Sequence, residues 1–358
     1  MKKIFFILLV SILIGTVRGN DGVYLTHGGM IYPTKETKIS MDKEILSFTV
    51  KNRMAYVDIQ FQFNNPEEID RKLMIGFQAP SGVGDISDSL SQSNQIKNFT
   101  IVQNGQILPY KLKAAECEEC ELKKPKDLHF SQFESGVFVF LFEITFKPGI
   151  NLINHSYSFP ASNNVAMDQF YNYILTTGSK WAGSKIKDFT INIDMGQNKY
   201  FYVNDIFGKA AKWSIVGTGK VTNDRFDYKE SDSCRMVRTL NGYLQIKVQD
   251  FRPTKNIEFG IVNRYSFTVY PIYLNKYKEM EIISIGQLEL QGQYTNREFR
   301  IMRNTIYAQY GYDFKNSELK AYFTQFEWYL PDPNLNMQDI VLTNKEKIFI
   351  DKILAIEK

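Results

Sequence analysis

Residues 57–63 read Val57-Asp58-Ile59-Gln60-Phe61-Gln62-Phe63. Side chains of a strand point alternately to opposite faces, so the four apolar residues share one face and the polar ones the other. A half-buried strand fits that pattern. The same alternation recurs in Phe189, Ile191, Ile193 and Met195, in Leu244, Ile246 and Val248, and in Ile257, Phe259 and Ile261. Val137 to Phe146 is apolar nearly throughout, interrupted by Glu143 and Thr145, which predicts a central strand covered on both faces. Asn104-Gly105 and Asn241-Gly242 stand between apolar segments. Asn-Gly accepts the positive φ of a type I′ turn, so each pair predicts a hairpin. Pro66, Pro80, Pro148 and Pro160 mark strand ends. Residues 40–160 carry no long amphipathic helical pattern. The expectation is a mainly β chain with an antiparallel β-sandwich-like body of one or two subdomains.

The period changes near residue 285. Thr295 and Glu298 make a capping box, and Tyr294 with Phe299 a hydrophobic staple around it. Phe299, Met302, Ile306 and Tyr310 then fall on one helical face, ended by Gly311. A second helix is expected from Ser317, with Leu319, Tyr322, Phe323 and Phe326 on its apolar side. Thr343 and Glu346 cap a third, with a stripe of Ile350, Ile353 and Leu354. Trp328-Tyr329-Leu330-Pro331 forms an aromatic turn between the last two.

Those residues, with Met302-Arg303-Asn304-Thr305-Ile306-Tyr307-Ala308 and Gly311-Tyr312-Asp313-Phe314, resemble the YARHG domain, a helical module of exported bacterial proteins. The chain departs at the motif itself, where Gln309 and Tyr310 replace the Arg-His pair. Any anion-binding role of that pair is lost with it. The resemblance nominates Arg303, Asn304, Tyr307, Tyr310, Trp328 and Tyr329 as ligand-contact candidates, although packing and helix capping are the commoner reason for such residues. Further upstream, Gly28-Gly29-Met30, Met41, Glu44, Phe61-Gln62-Phe63-Asn64-Asn65-Pro66 and Ile75-Gly76-Phe77-Gln78-Ala79-Pro80 are similar to an exported bacterial domain of unknown function. That likeness implies no activity.

Met1-Lys2-Lys3, an apolar run from Ile4 to Gly15, and small residues at Val17 and Gly19 read as a signal peptide. The run is shorter than the roughly 20 residues a spanning helix needs. The expected organisation is therefore a leader at 1–19, a β-rich domain at 20–265, a connecting segment at 266–284 and a helical domain at 285–358. Lys2, Lys3 and Arg18 leave with the leader, taking the 43 basic residues to 40 against 39 acidic ones, net +1. That balance provides no field for nucleic acid or anionic lipid. The chain is expected to be exported, in the periplasm or on the surface of a bacterium, and not an integral membrane protein.

Cys117-Glu118-Glu119-Cys120 has redox spacing, but the flanking Glu116 and Glu121 add to a local negative charge that disfavours a thiolate. One bridged pair and one remaining thiol among Cys117, Cys120 and Cys234 is the expectation in an oxidising compartment. Zinc held by these cysteines and His129 is the alternative. The three histidines, His27, His129 and His155, sit in no HExxH frame, and no GxSxG elbow occurs. His27-Gly28-Gly29 reads as a turn entering the first strand. Carboxylates such as Asp188 and Asp194 serve a hydrolase only if two face each other across a cleft.

The reading is thus a non-catalytic envelope protein without cofactor, its β body a scaffold or binding surface and its helices a recognition appendage. A cell-wall glycan or another envelope protein is the expected partner. The alternatives are an envelope hydrolase using acidic residues, and a disulfide or metal protein through the cysteines.

Overall fold

The computed structural model describes residues 24–25, 27–80, 83–84, 94–115, 137–163, 167–197, 199–208, 211–229, 232–262, 273–274, 280–281, 294–326 and 329–357. The expected leader at 1–19, Cys117, Cys120, His129 and Trp328 lie outside these residues.

The principal strands are β1 (His27–Gly29), β2 (Ile31–Pro33), β3 (Ser40–Lys51), β4 (Met54–Asn65), β5 (Arg71–Pro80), β6 (Lys97–Gln103), β7 (Gln106–Ile107) and β8 (Tyr110–Ala115). They continue with β9 (Val137–Phe146), β10 (Gly149–Pro160), β11 (Met167–Ile174) and β12 (Ile186–Asp194). The last four are β13 (Lys199–Asn204), β14 (Ser214–Lys229), β15 (Asp232–Phe251) and β16 (Ile257–Val262). Among the described residues, one sheet is 12-stranded, in the order β1-β11-β16-β13-β15-β12-β3-β4-β10-β6-β7, with β14 beside β15. A second, four-stranded sheet runs β8-β9-β5-β2. Most ladders are antiparallel, as the hairpin chemistry requires, while β1 with β11 and β3 with β12 pair in parallel.

The alternating stripes all face one core. Val57, Ile59, Phe61 and Phe63 are buried, as are Phe189, Ile191, Ile193 and Met195. Phe99 of the large sheet stacks on Phe140 of the small one, ring centroids 4.1 Å apart, and Phe63 meets Phe146 edge-on. The two sheets therefore pack face to face, with side chains from both inner faces filling the space between.

Two local expectations change. β9 is central in its sheet, but only Phe138, Phe140, Phe142, Ile144 and Phe146 form a continuous buried stripe; Glu143 on the outer face is exposed and pairs with Lys72. Asn104-Gly105 does turn a hairpin, with φ of 52° and 79°. Asn241-Gly242 does not. It lies inside β15, where Gly242, with φ 80°, faces Gly217 of β14. A Cβ on Gly242 would sit 1.9 Å from the Val216 carbonyl oxygen, so the pair is a close strand contact beside a bulge at Leu240 rather than a turn. On one side of the bulge β15 pairs with β13, and on the other with β12.

Three helices follow, α1 (Asn296–Gln309), α2 (Ser317–Phe323) and α3 (Asn344–Ile356). Both predicted capping boxes form, Thr295 and Thr343 each accepting from the amide three residues on while Glu298 and Glu346 reach back. Phe299, Met302 and Ile306 pack on Phe349, Ile350 and Ile353. Leu354 is 46% exposed. One residue past Ile353 is a 100° rotation, which carries it off the stripe, and Phe349 takes the place expected for it. No helix among the described residues is long and apolar enough to cross a membrane.

Candidate functional site

β1 belongs to the large sheet and β2 to the small one, so the chain steps between sheets at Met30. A backbone leaving one ladder for another must find partners elsewhere. Side chains supply them. The Tyr157 hydroxyl binds both the amide and the carbonyl of Gly29, each at 3.0 Å. Thr177 Oγ1 donates to the Met30 carbonyl at 3.3 Å, and Trp181 Nε1 to that of Ile31 at 3.1 Å. Glycine is needed at the crossing because a Cβ on Gly28 would lie 2.8 Å from the Phe159 ring and 2.9 Å from the Tyr157 hydroxyl. His27-Gly28-Gly29, expected as a turn, is thus strand.

Under this crossing lie polar groups that the core does not satisfy. The register of β3 against β4 shifts between Met41 and Lys43. The shift puts Glu44 in phase with Leu46, Phe48 and Val50, all facing inward. Glu44 is fully buried, and neither carboxyl oxygen has a hydrogen-bond partner. Burial pushes its pKa well above the usual carboxylate range. Tyr157 and Tyr173, also buried, have phenols raised first by desolvation, with the Glu44 charge adding to both. The Tyr173 hydroxyl lies within reach of the Tyr157 hydroxyl but makes no well-aligned hydrogen bond.

His155 on β10 completes the group. Its Nδ1 lies 2.9 Å from the Thr100 carbonyl, an acceptor only, so the neutral ring carries its proton there. Nε2 is left as a buried acceptor without a partner. Burial lowers the His155 pKa to about 4, the bond to Thr100 opposing. The ring packs against Tyr157, Phe77 and Phe99 at centroid distances of 5.0, 5.2 and 4.7 Å. Three side chains from three strands thus present acceptor atoms and one phenol inside an aromatic interior. Chemically, such a set can accept hydrogen bonds from a donor-bearing molecule.

The residues nominated in the helical module have partners of their own. Arg303 makes a two-bond pair with Glu357, at 2.8 and 3.1 Å. Asn304 donates to the Arg300 carbonyl at 2.7 Å, and Tyr310 to Glu346 Oε2 at 2.8 Å. Tyr329 donates to the Tyr312 carbonyl at 2.7 Å, and Tyr307 packs between two apolar clusters. Cys234 is buried on β15 opposite Asn204. Asp188 and Asp194 lie on the same strand six residues apart, about 20 Å. That is too far for a facing pair of the kind a glycosidase uses. Asp188 instead meets Lys43, and Asp194 accepts the Gly196 amide.

Sequence reasoning quoted Glu44 only as part of a resemblance and passed over its position. The available signal was phase: a carboxylate at i, followed by Leu, Phe and Val at i+2, i+4 and i+6, shares their face. His155 likewise alternates with Ile153, Tyr157 and Phe159.

A search of the curated proteins gives no match. Among solved structures, the chain is similar in fold to a "putative nutrient binding protein" from Legionella pneumophila, at 19% identity and a TM-score of 0.53, over 95% of this chain and 100% of that one. Native yeast LTA4 hydrolase aligns at 5% identity and a TM-score of 0.22, over 59% of this chain and 29% of that chain, too distant to carry any argument. Residues 19–117 match the model of a domain of unknown function, DUF4424, and residues 284–358 that of the YARHG domain. The chain carries a DUF4424 domain at its start and a YARHG domain at its end.

Proposed function

We infer that this is a non-catalytic binding protein of the bacterial envelope, its β body to about residue 265 holding the ligand and its helical module from about 285 docked alongside. One observation carries the reading: the Glu44 carboxyl lies buried in the core of the β body with both oxygens unpartnered, and His155 Nε2 in the same core is unpartnered too. Buried polar groups are as a rule hydrogen-bonded, so a set left open in a packed core is what a ligand-completed site presents. The fold shared with a protein named for nutrient binding supports the same class. The leader and the YARHG likeness support export. The ligand is placed in the body rather than at Arg303, Asn304, Tyr310 and Tyr329, whose polar groups are engaged within the module.

The test is native mass spectrometry of the full chain purified from an envelope fraction. A mass excess that denaturation releases, reduced in Glu44→Gln, is the expected result. Hydrolysis of wall fragments by a chain that retains nothing would overturn the reading.

A further inference from the structure

The chemistry of the open groups also selects among ligands. Glu44 brings two oxygens, and His155 Nε2 is an acceptor because Nδ1 holds the proton. Tyr157, the neighbouring phenol, already serves the Gly29 amide and carbonyl. The set is therefore rich in acceptors. It also lacks a cation from its own strand, since Lys43 points outward to Asp188 while Asp42 meets Lys187. Aromatic side chains flank the carboxyl, since Phe61 and Phe189 stand directly opposite Glu44 on the two neighbouring strands. A carboxyl among aromatic faces is the combination that favours an ammonium group, through charge and through the ring quadrupoles. A divalent metal suits the site less, because it needs several hard oxygen ligands. Among the described residues no three His, Cys, Asp or Glu side chains gather to hold one.

We propose that the interior around Glu44 takes a small organic ammonium compound, with Glu44 as its counter-charge and the neighbouring Tyr173 hydroxyl orienting it. The proposal rests on the binding reading above and names its ligand class. The step balances as a proton exchange: the neutral Glu44 carboxyl loses its proton to solvent, and the carboxylate accepts N–H bonds from the entering ammonium. Binding thus releases about one proton per molecule while the free site is protonated, and tightens as pH rises toward the pKa of the free Glu44. The titratable groups that feel the Glu44 charge are Tyr157 and Tyr173, and burial raises both phenols, which keeps them neutral through that range.

The experiment is calorimetry and thermal melting of the full chain with methylammonium and putrescine, against methanol and 1,4-butanediol as uncharged counterparts and calcium as a metal control. The amines are expected to bind and raise Tm, with proton release shown by buffers of different ionisation enthalpy. Glu44→Gln, which mimics the neutral acid and keeps its shape, is expected to weaken amine binding about ten- to a hundredfold, the usual worth of a charge-assisted hydrogen bond. Tyr173→Phe is expected to weaken it less. Equal binding of diols and amines, binding of calcium alone, no amine binding, or an amine affinity unmoved in a folded Glu44→Gln protein would each overturn the proposal. If native mass spectrometry still finds a non-amine ligand, the ammonium class falls and the binding reading stands. Retention of no ligand of any kind removes both.

Discussion

Arg238, buried in the β body, donates through Nη2 to the main-chain carbonyl of Gln309 at the end of α1, 2.8 Å away. Its Nη1 holds the carbonyls of Lys199 and Thr239. The last carbonyls of a helix have no partner within it and carry partial negative charge, so a guanidinium is a suited cap. Tyr200 of β13 packs against the same helical cluster. The body thus fastens the helical module at the position where the YARHG motif is degenerate.

Replacing Arg238 with Met should loosen that fastening while keeping much of its apolar stem. The expected cost is about 2–3 kcal/mol, the range for hydrogen bonds to a charged group. Hydrogen exchange should then speed up in α1 more than in β4. Equal protection in both proteins would show that the contact contributes nothing.

The second prediction concerns pH. Burial raises the pKa of Glu44 in the folded chain above its value in the unfolded one. Below the unfolded pKa both states are protonated and stability is at its full value. As pH rises through the folded pKa, the unfolded chain has already released its proton and the folded state loses stability. Urea titrations across the neutral and alkaline range should show that fall in the wild type and a flatter profile in Glu44→Gln. Parallel profiles would refute the assignment.

Glycine beside the bulge offers a third check. Gly242 and Gly105 have nearly the same positive φ, but a Cβ on Gly105 meets nothing within 4 Å. Gly105→Ala should therefore cost only the left-handed conformation, roughly 1–2 kcal/mol. Gly242→Ala adds a clash with the Val216 carbonyl, and should cost more than about 3 kcal/mol or prevent folding. Melting curves of the pair rank them directly; equal shifts would contradict the close contact.

Within the helical module, Glu346 and Arg303 should differ. Glu346 is fully buried and its Oε2 accepts from both Tyr310 and the Thr343 amide. Glu346→Ala leaves those donors unmet, and should cost about 2–3 kcal/mol. The Arg303–Glu357 pair is partly exposed, and Arg303→Ala should cost within about 1 kcal/mol. Chemical denaturation of both variants gives the comparison, and a reversed order would mean that the Tyr310–Glu346 bond is unimportant.

Local chemistry was the legible part. Strict alternation from Val57 to Phe63, the turn at Asn104-Gly105 and both capping boxes are set by neighbours in sequence, and each formed as read. What was not legible depends on distant partners. Asn241-Gly242 looks like Asn104-Gly105 until β14 lies beside it, and then Gly242 stands against Gly217 inside the ladder, next to the bulge at Leu240. Glu44 could be seen to share a face with Leu46, but not that Tyr157 and Tyr173, more than a hundred residues on, would stand near it in a closed core. Arg303 and Tyr310 read as surface candidates because Glu357 and Glu346, their partners, lie 54 and 36 residues away.

Glu44 stands uncharged in the core of the β body until an ammonium compound reaches it. Difference infrared spectroscopy of the wild type against Glu44→Gln observes that directly. A protonated-carboxyl band is expected to persist well above the ordinary pKa of 4.5 in the free protein, and to be lost when methylammonium or putrescine binds. A Glu44 carboxyl that ionises near its ordinary value, and does not respond to either amine, would contradict it.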